Sequence, residues 1–227
     1  MHIPDGFIDG PTSLAAGVLS GAGIAAAVRR AGHQLDERRV PLAGLTAAFV
    51  FAAQMVNFPV AGGTSGHLIG AVLAAVLVGP WVGALCVSVV LFVQAMYADG
   101  GLSAIGLNIL NMAFVAGIGG WVVFKALRRF LPARPGSVAL ASGIAAGVSV
   151  PLASLAFVVE YALGGAGGAD VATVAAAMVG THLLIGVGEG VITALTVSAV
   201  LGNRPDLVHG ARDLAVPEVP VTVGAAS

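Results

Sequence analysis

Apolar residues fall in seven long stretches, at about residues 12–28, 41–58, 66–79, 80–97, 103–124, 138–160 and 171–201, and polar residues collect in the breaks between them. A stretch of about 18 residues or more can cross a hydrocarbon core about 30 Å thick at 1.5 Å per residue. The pattern therefore predicts an all-α, polytopic membrane protein with seven transmembrane helices. The third stretch, GHLIGAVLAAVLVG, has only 14 residues and reaches about 21 Å as a helix. It crosses only if the membrane thins or the loop before it dips inward.

Composition removes the soluble alternative. Of the 227 residues 58% are apolar and 9% charged, whereas soluble domains carry about 25% charged residues. So few charges could not dress the surface that a soluble fold of this length leaves exposed. The 33 glycines suit helices that approach closely where no hydrophobic effect drives them together. A net charge of -1 gives no nucleic-acid signature, and the lone Cys86, inside an apolar run, excludes disulfides and cysteine zinc sites.

Charge placement orients the chain, because cytoplasmic loops collect Lys and Arg. With seven spans, Arg29, Arg30, Arg38, Arg39, Lys125, Arg128, Arg129, Arg134, Arg204 and Arg212 all fall on one side. Asp5, Asp9, Asp99, Glu160 and Asp170 fall at or near the other. The N-terminus is then outside and the C-terminus inside. If Pro80 merely kinked one long helix, the later Arg clusters would change sides, so Pro80 is read as opening a new span. Residues 1–201 form the membrane domain, and 202–227, with charges, prolines and no helical period, read as a flexible cytoplasmic tail. No GxxxxGK[ST] loop is present, so any ATP must be used on a partner.

The start, MHIPDGFIDGP, lacks the basic region and apolar core of a signal peptide. The expectation is a mature end at Met1, kept because His2 is bulky, with a free amine. That amine, the His2 amide nitrogen and the His2 imidazole Nδ1 can close two chelate rings around one ion. His67 would add a fourth nitrogen, and a planar set of four suits Ni(II) or Cu(II). Ligand chemistry alone ranks nickel above cobalt. The threading brings the site loop, residues 57–67, to the same outer face as the N-terminal ligand segment, residues 1–11. Gly62, Gly63 and Gly66 permit close backbone approach there, and Asn57, Thr64 and Ser65 supply hydrogen-bonding groups. The opposing reading, that Met-His at the start is chance and His67 serves a loop carbonyl, remains open at this point.

Polar groups interrupt other spans. Gln54, Gln94, Asn108 and Asn111 either bridge helices or orient a ligand's surroundings; Asn108 and Asn111, three apart, share a helix face. His182 and Glu189, seven apart, share another, either as a functional pair or as one buried hydrogen bond. His33 and His209 read as solvated bystanders. Gly17 and Gly21, extended by Ala25, form a small-residue stripe on the first span that suits docking against a helix of this chain or of a separate subunit.

MHIPDGF at the start, SGHLIGAVLAAVLVGPW at 65–81, VQAMYADGGLSAIGLNILNMA at 93–113 and HLLIGVGEGVIT at 182–193 resemble the CbiM/NikM family, the substrate-capture membrane components (S components) of energy-coupling factor (ECF) cobalt and nickel importers. The resemblance implies an S-component six-helix core with an added N-terminal helix. It implies Met1 and His2 folded inward to join His67 at the metal, and surrounding roles for Gln94, Asn108 and Asn111. It further implies no prosthetic group, transported Ni(II) or Co(II), cobalt serving cobalamin biosynthesis, and a bacterial cell-membrane location. The implied partners are a transmembrane coupling (T) subunit, two cytoplasmic ATPases and a small auxiliary membrane subunit, with Gly17, Gly21 and Ala25 as a docking face. The rival readings are an ATP-independent carrier or channel, and a membrane metallohydrolase using His182 and Glu189, for which the HExxH helix is missing.

Overall fold

The computed structural model describes residues 1–32, 39–60 and 64–214, with only the backbone described for 58–60 and 64–65. Helices α1 (Gly10–Ala31) and α2 (Arg39–Gln54) lead to a short antiparallel hairpin, β1 (Phe58–Val60) and β2 (Thr64–Gly66), that pairs Phe58 with Gly66. Then come α3 (Ala71–Val78), α4 (Pro80–Met96), α5 (Ile105–Ile109), a π-helical stretch (Leu110–Gly119), α6 (Gly120–Phe130), α7 (Pro135–Gly164) and α8 (Val171–Asn203). The segment from α5 to α6 is one continuous rod, Ile105–Phe130.

Local chemistry sets the ends of these helices. The Asp9 carboxylate accepts from Thr12 N at 2.9 Å, with Pro11 in the first turn and Arg29 and Arg30 in the last turn of α1. Asp170 caps α8 in the same way through Thr173 N. Each device satisfies an end that lacks intrahelical partners or complements the helix dipole. Gly79, at φ +97°, turns the chain between α3 and α4, and a Cβ on Gly83 would lie 2.7 Å from Ala75 N. The two helices therefore fold back on one another, so Pro80 opens a helix rather than kinking one.

Four helices are long and apolar enough to cross a membrane: α1, the α5–α6 rod, α7 and α8. Helices α2 and α4 are shorter and apolar. All eight residues of α3 are buried, and its length of about 12 Å is too short to cross. The third apolar stretch thus resolves as a short enclosed helix preceded by irregular backbone at residues 67–70, which is tolerated at membrane depth only where protein encloses it. Outward-facing residues such as Leu184, Val187 and Leu195 are exposed and apolar, the surface that lipid requires. Helices α7 and α8 approach most closely through glycines: a Cβ on Gly190 would lie 2.8 Å from Gly143 O.

Two expectations change. The chain from residue 202 is not flexible throughout. Pro205–Leu207 and His209–Leu214 form 3-10 turns, with Val208 and Ala211 buried against the core formed by Val76, Phe124 and Val138; residues 215–227 lie outside the described residues. His209 is half-buried, its ring 5.5 Å from that of Trp121. His33 lies outside the described residues. The basic residues Arg39, Lys125, Arg128, Arg129, Arg204 and Arg212 gather around this end of the bundle.

Candidate metal centre

The chain start is folded into the opposite end of the bundle. Met1 is 1% exposed, His2 4% and Ile3 0%. Asn108 grips Ile3 at both main-chain groups: Ile3 N donates to Asn108 Oδ1 at 2.8 Å, and Asn108 Nδ2 donates to Ile3 O at 3.2 Å. Gly101 N adds a 2.8 Å bond to Ile3 O. Farther along, Asp5 Oδ1 accepts from both the amide and the hydroxyl of Ser103. Phe7 O accepts from Ala166 N, and Asp9 N donates to Gly164 O. The first nine residues are therefore strapped across the ends of α5, α7 and α8.

The DGG turn shapes the same pocket. Gly100 has φ +101°, and a Cβ there would lie 3.0 Å from His2 Nδ1; a Cβ on Gly101 would run into the backbone of Pro4 and Asp5. Only glycines allow the segment to lie this close.

His67 is fixed from the other side. Its Nδ1 donates to Leu68 O at 2.7 Å, which leaves Nε2 as a bare lone pair, buried and without a partner. A carbonyl only accepts, so this contact fixes the ring tautomer. The loop carrying His67 is held at Ile69: its N–H donates to Glu189 Oε2 at 2.6 Å and its carbonyl accepts from Gln54 Nε2 at 2.7 Å. Gly70 N donates to the other Glu189 oxygen at 2.8 Å. Glu189 thereby caps the buried start of α3, where Gly70 at φ +71° provides no side-chain cap of its own.

These two anchored segments bring His2 and His67 together, with ring centroids 4.4 Å apart and planes inclined by 28°. Burial pushes the Met1 amine down to about 4, opposed by the charge of Asp99, and pushes His2 down to about 3, aided by the amine. Both groups are neutral donors at neutral pH, the protonation state that a metal ion needs.

Several residues singled out from the sequence act differently from expectation. Asn57, exposed, donates to Asp99 Oδ2 at 3.4 Å, and that oxygen lies 3.9 Å from His2 Nε2. Asn57 reaches the cluster only through Asp99. Asn111 donates to Glu160 at 2.7 Å, whereas Asn108 holds Ile3. Gln94 is buried with both amide atoms unpartnered. The side chains of Thr64 and Ser65, and residues Gly62 and Gly63, lie outside the described set. His182 and Glu189 do not bond each other: His182 Nδ1 donates to Met178 O at 2.6 Å. The Gly17 backbone meets Gly106 of α5 inside the protein, whereas Gly21 and Ala25 are exposed. Asp99, Gly100 and Gly101 are contributors that the polarity pattern left unassigned, while Gln54 bridges α2 to the loop that carries His67.

The molecule is thus a multi-pass helical membrane protein whose own N-terminal segment closes over a buried cluster of nitrogen donors. Residues 2–207 match the family described as the cobalt uptake substrate-specific transmembrane region, CbiM. A putative fused nickel transport protein, NikMN, of Archaeoglobus fulgidus is 37% identical over 210 residues, covering 92% of this chain and 68% of that protein. A cobalt transport protein, CbiM, of Sorangium cellulosum is 37% identical over 175 residues, covering 74% and 76%. A solved truncated transition-metal transporter superposes with a TM-score of 0.82 at 32% identity, covering 89% of this chain and 99% of that one. The chain belongs to the CbiM family of cobalt and nickel transport proteins and is a transmembrane transport protein rather than an enzyme.

Proposed function

We propose that this chain is the substrate-capture membrane subunit of an ECF-type importer and takes external Ni(II) or Co(II) into a nitrogen site built by Met1, His2 and His67. The Met1 amine, the His2 amide nitrogen and His2 Nδ1 form two fused chelate rings, and His67 Nε2 completes the set. One observation carries this reading: the buried His2–His67 pair at 4.4 Å. Two imidazoles bound at right angles to one ion, with metal–nitrogen bonds of about 2.0 Å and about 1.1 Å from nitrogen to ring centre, hold their centroids about 4.4 Å apart. Amide ligation favours nickel over cobalt, because Ni(II) acidifies the amide more readily and prefers a planar field.

In this reading seven helical segments thread the bilayer, with the N-terminus outside and the basic end inside. The buried α3 and its inward loop count as the third. The chain works in the cell membrane with a T subunit, two ATPases that supply the energy and a small auxiliary membrane subunit, and of the small-residue stripe on α1 the exposed Gly21 and Ala25 present a docking face, Gly17 being packed against α5. The test is a titration of the purified chain, its N-terminal mass verified, with Ni(II), Co(II), Cu(II) and Zn(II). One equivalent of Ni(II) should bind with the absorption of planar nitrogen coordination, and both should disappear in His67→Ala and on acetylation of the amine. Unchanged binding in either case refutes the site.

A further inference from the structure

His182 is the buried imidazole that the capture site does not use. It is 0% exposed on α8, and its Nδ1 donates to Met178 O. The Nε2 lone pair has no partner. A bare acceptor in an apolar interior costs stability unless something occupies it. His67 presents the same arrangement, with Nδ1 tied to a carbonyl and Nε2 bare. Such a carbonyl bond is the usual means of aiming the remaining ring nitrogen at a metal.

The register of α8 lets the two rings lie at a similar depth. Glu189 holds Ile69 and Gly70, and His182, two helical turns earlier, lies about 10.5 Å along the axis. From Gly70 back to His67 is three residues, about 10 Å of extended chain. Met178 and Ile185, on either side of His182, lie in the same buried cluster as Met1, Ile3 and Ile69, the residues that flank the two capture histidines.

We propose that His182 Nε2 is a second nitrogen donor for the cargo ion, used as the ion leaves the terminal chelate. The proposal rests on the capture reading above. The ion stays bound to His67 Nε2. Its bonds to the Met1 amine, the His2 amide nitrogen and His2 Nδ1 break, a bond to His182 Nε2 forms while water fills the vacated positions, and the amide nitrogen takes back one proton from solvent. Neither the metal nor the protein changes oxidation state. The His67–His182 pair would supply two protein donors. It holds the ion weakly, as a station on a path must if the ion is to move on.

The experiment compares His182→Ala, His182→Cys and His182→Ser by two readouts. One is Ni(II) affinity of the purified chain, and the other is radioactive nickel uptake by cells producing the chain with the other subunits of its transport system. The expected result is capture affinity within about threefold of the parent in all three. Uptake falls about tenfold or more in the Ala and Ser variants and recovers in part in the Cys variant, whose sulfur is a metal donor with a longer bond but a shorter side chain. If His182→Ala does not accumulate, His182→Gln replaces it. Parent-level uptake in the Ala variant, or equal loss in Cys and Ser, overturns the proposal. So does a loss of capture affinity as large as that of His67→Ala, which would make His182 a capture ligand. Parent-level affinity in His2→Ala would instead overturn the capture site itself.

Discussion

Asn108 sets the clearest test of how the metal segment is held, because its amide touches main chain rather than metal. Ile3 N–H has Asn108 Oδ1 as its partner at 2.8 Å, whereas Ile3 O keeps a second donor, Gly101 N, when Asn108 is removed. Replacing Asn108 therefore orphans one buried donor. Leaving such a group unsatisfied costs about 1–3 kcal/mol. Asn108→Ala opens room for a water and should fall at the low end, about fivefold in Ni(II) affinity; Asn108→Leu fills that room with apolar atoms and should fall at the high end, about 150-fold. Asn111→Ala is the control, since Asn111 bonds Glu160 and not the N-terminal segment. Calorimetric titration of each purified variant measures the affinities, and thermal melting shows whether the bundle is intact. Affinity within twofold of the parent in Asn108→Leu, or an equal loss in Asn111→Ala, would refute the claim that this clamp holds the donors in place.

Other perturbations probe the remaining supports. Glu189→Ala leaves the Ile69 and Gly70 amides without acceptors at about 1–3 kcal/mol each, so the melting temperature in micelles should drop sharply, with Glu189→Gln losing less; equal melting of parent and Ala variant would deny the capping role. Gly101→Ala forces the Pro4–Asp5 backbone outward and should weaken metal binding by about tenfold or more, whereas Gly168→Ala, at φ +71° in open space, should cost only about 1 kcal/mol of stability and no affinity. The amine and His2 have ordinary values of 8.0 and 6.5, and in the docked segment these fall to about 4 and about 3. The docked state therefore binds fewer protons across that window, and docking is strongest above pH 8 and weakens as pH falls toward 4. Hydrogen exchange at the Ile3 amide of the metal-free chain, corrected for its intrinsic rate, should report this loss of protection; a pH-independent protection factor would contradict it.

The fold was legible where hydropathy alone decides it. Each of the seven apolar stretches contains one helical segment or rod, since a chain in lipid must satisfy its backbone within each span. The third stretch was ambiguous for a physical reason. Fourteen apolar residues fit either a thinned membrane or a segment enclosed by protein, and only the packing of α2, α4 and α8 around it decides between them. The region from 202 to 214 misled because its charges and prolines describe a solvated segment, while Val208 and Ala211, two small apolar residues without helical spacing, are what fix it to the core. Nothing in LNMAFVAGIG announces its π-helical winding.

At the site, the division follows the kind of interaction. Met1, His2 and His67 could be read from the chain because donor chemistry belongs to residue types. Asn108, Gln54 and Glu189 stood out as polar groups within spans, but what they support could not be read, because the bonds are to main chain: Asn108 to Ile3, Glu189 and Gln54 to Ile69, and Gly101 to Ile3. A main-chain partner leaves no mark on the sequence of the segment it holds. The support network joins residues about 100 positions apart, so the donors are placed only when α5, α8 and the inward loop are all packed. A loosened α8 would therefore release Ile69, with it the loop that aims His67, and, two turns away, move the bare nitrogen of His182. The same helix that completes the fold thus governs one half of the donor set, and motion of α8 is the most direct route by which a change elsewhere in the bundle can open the site.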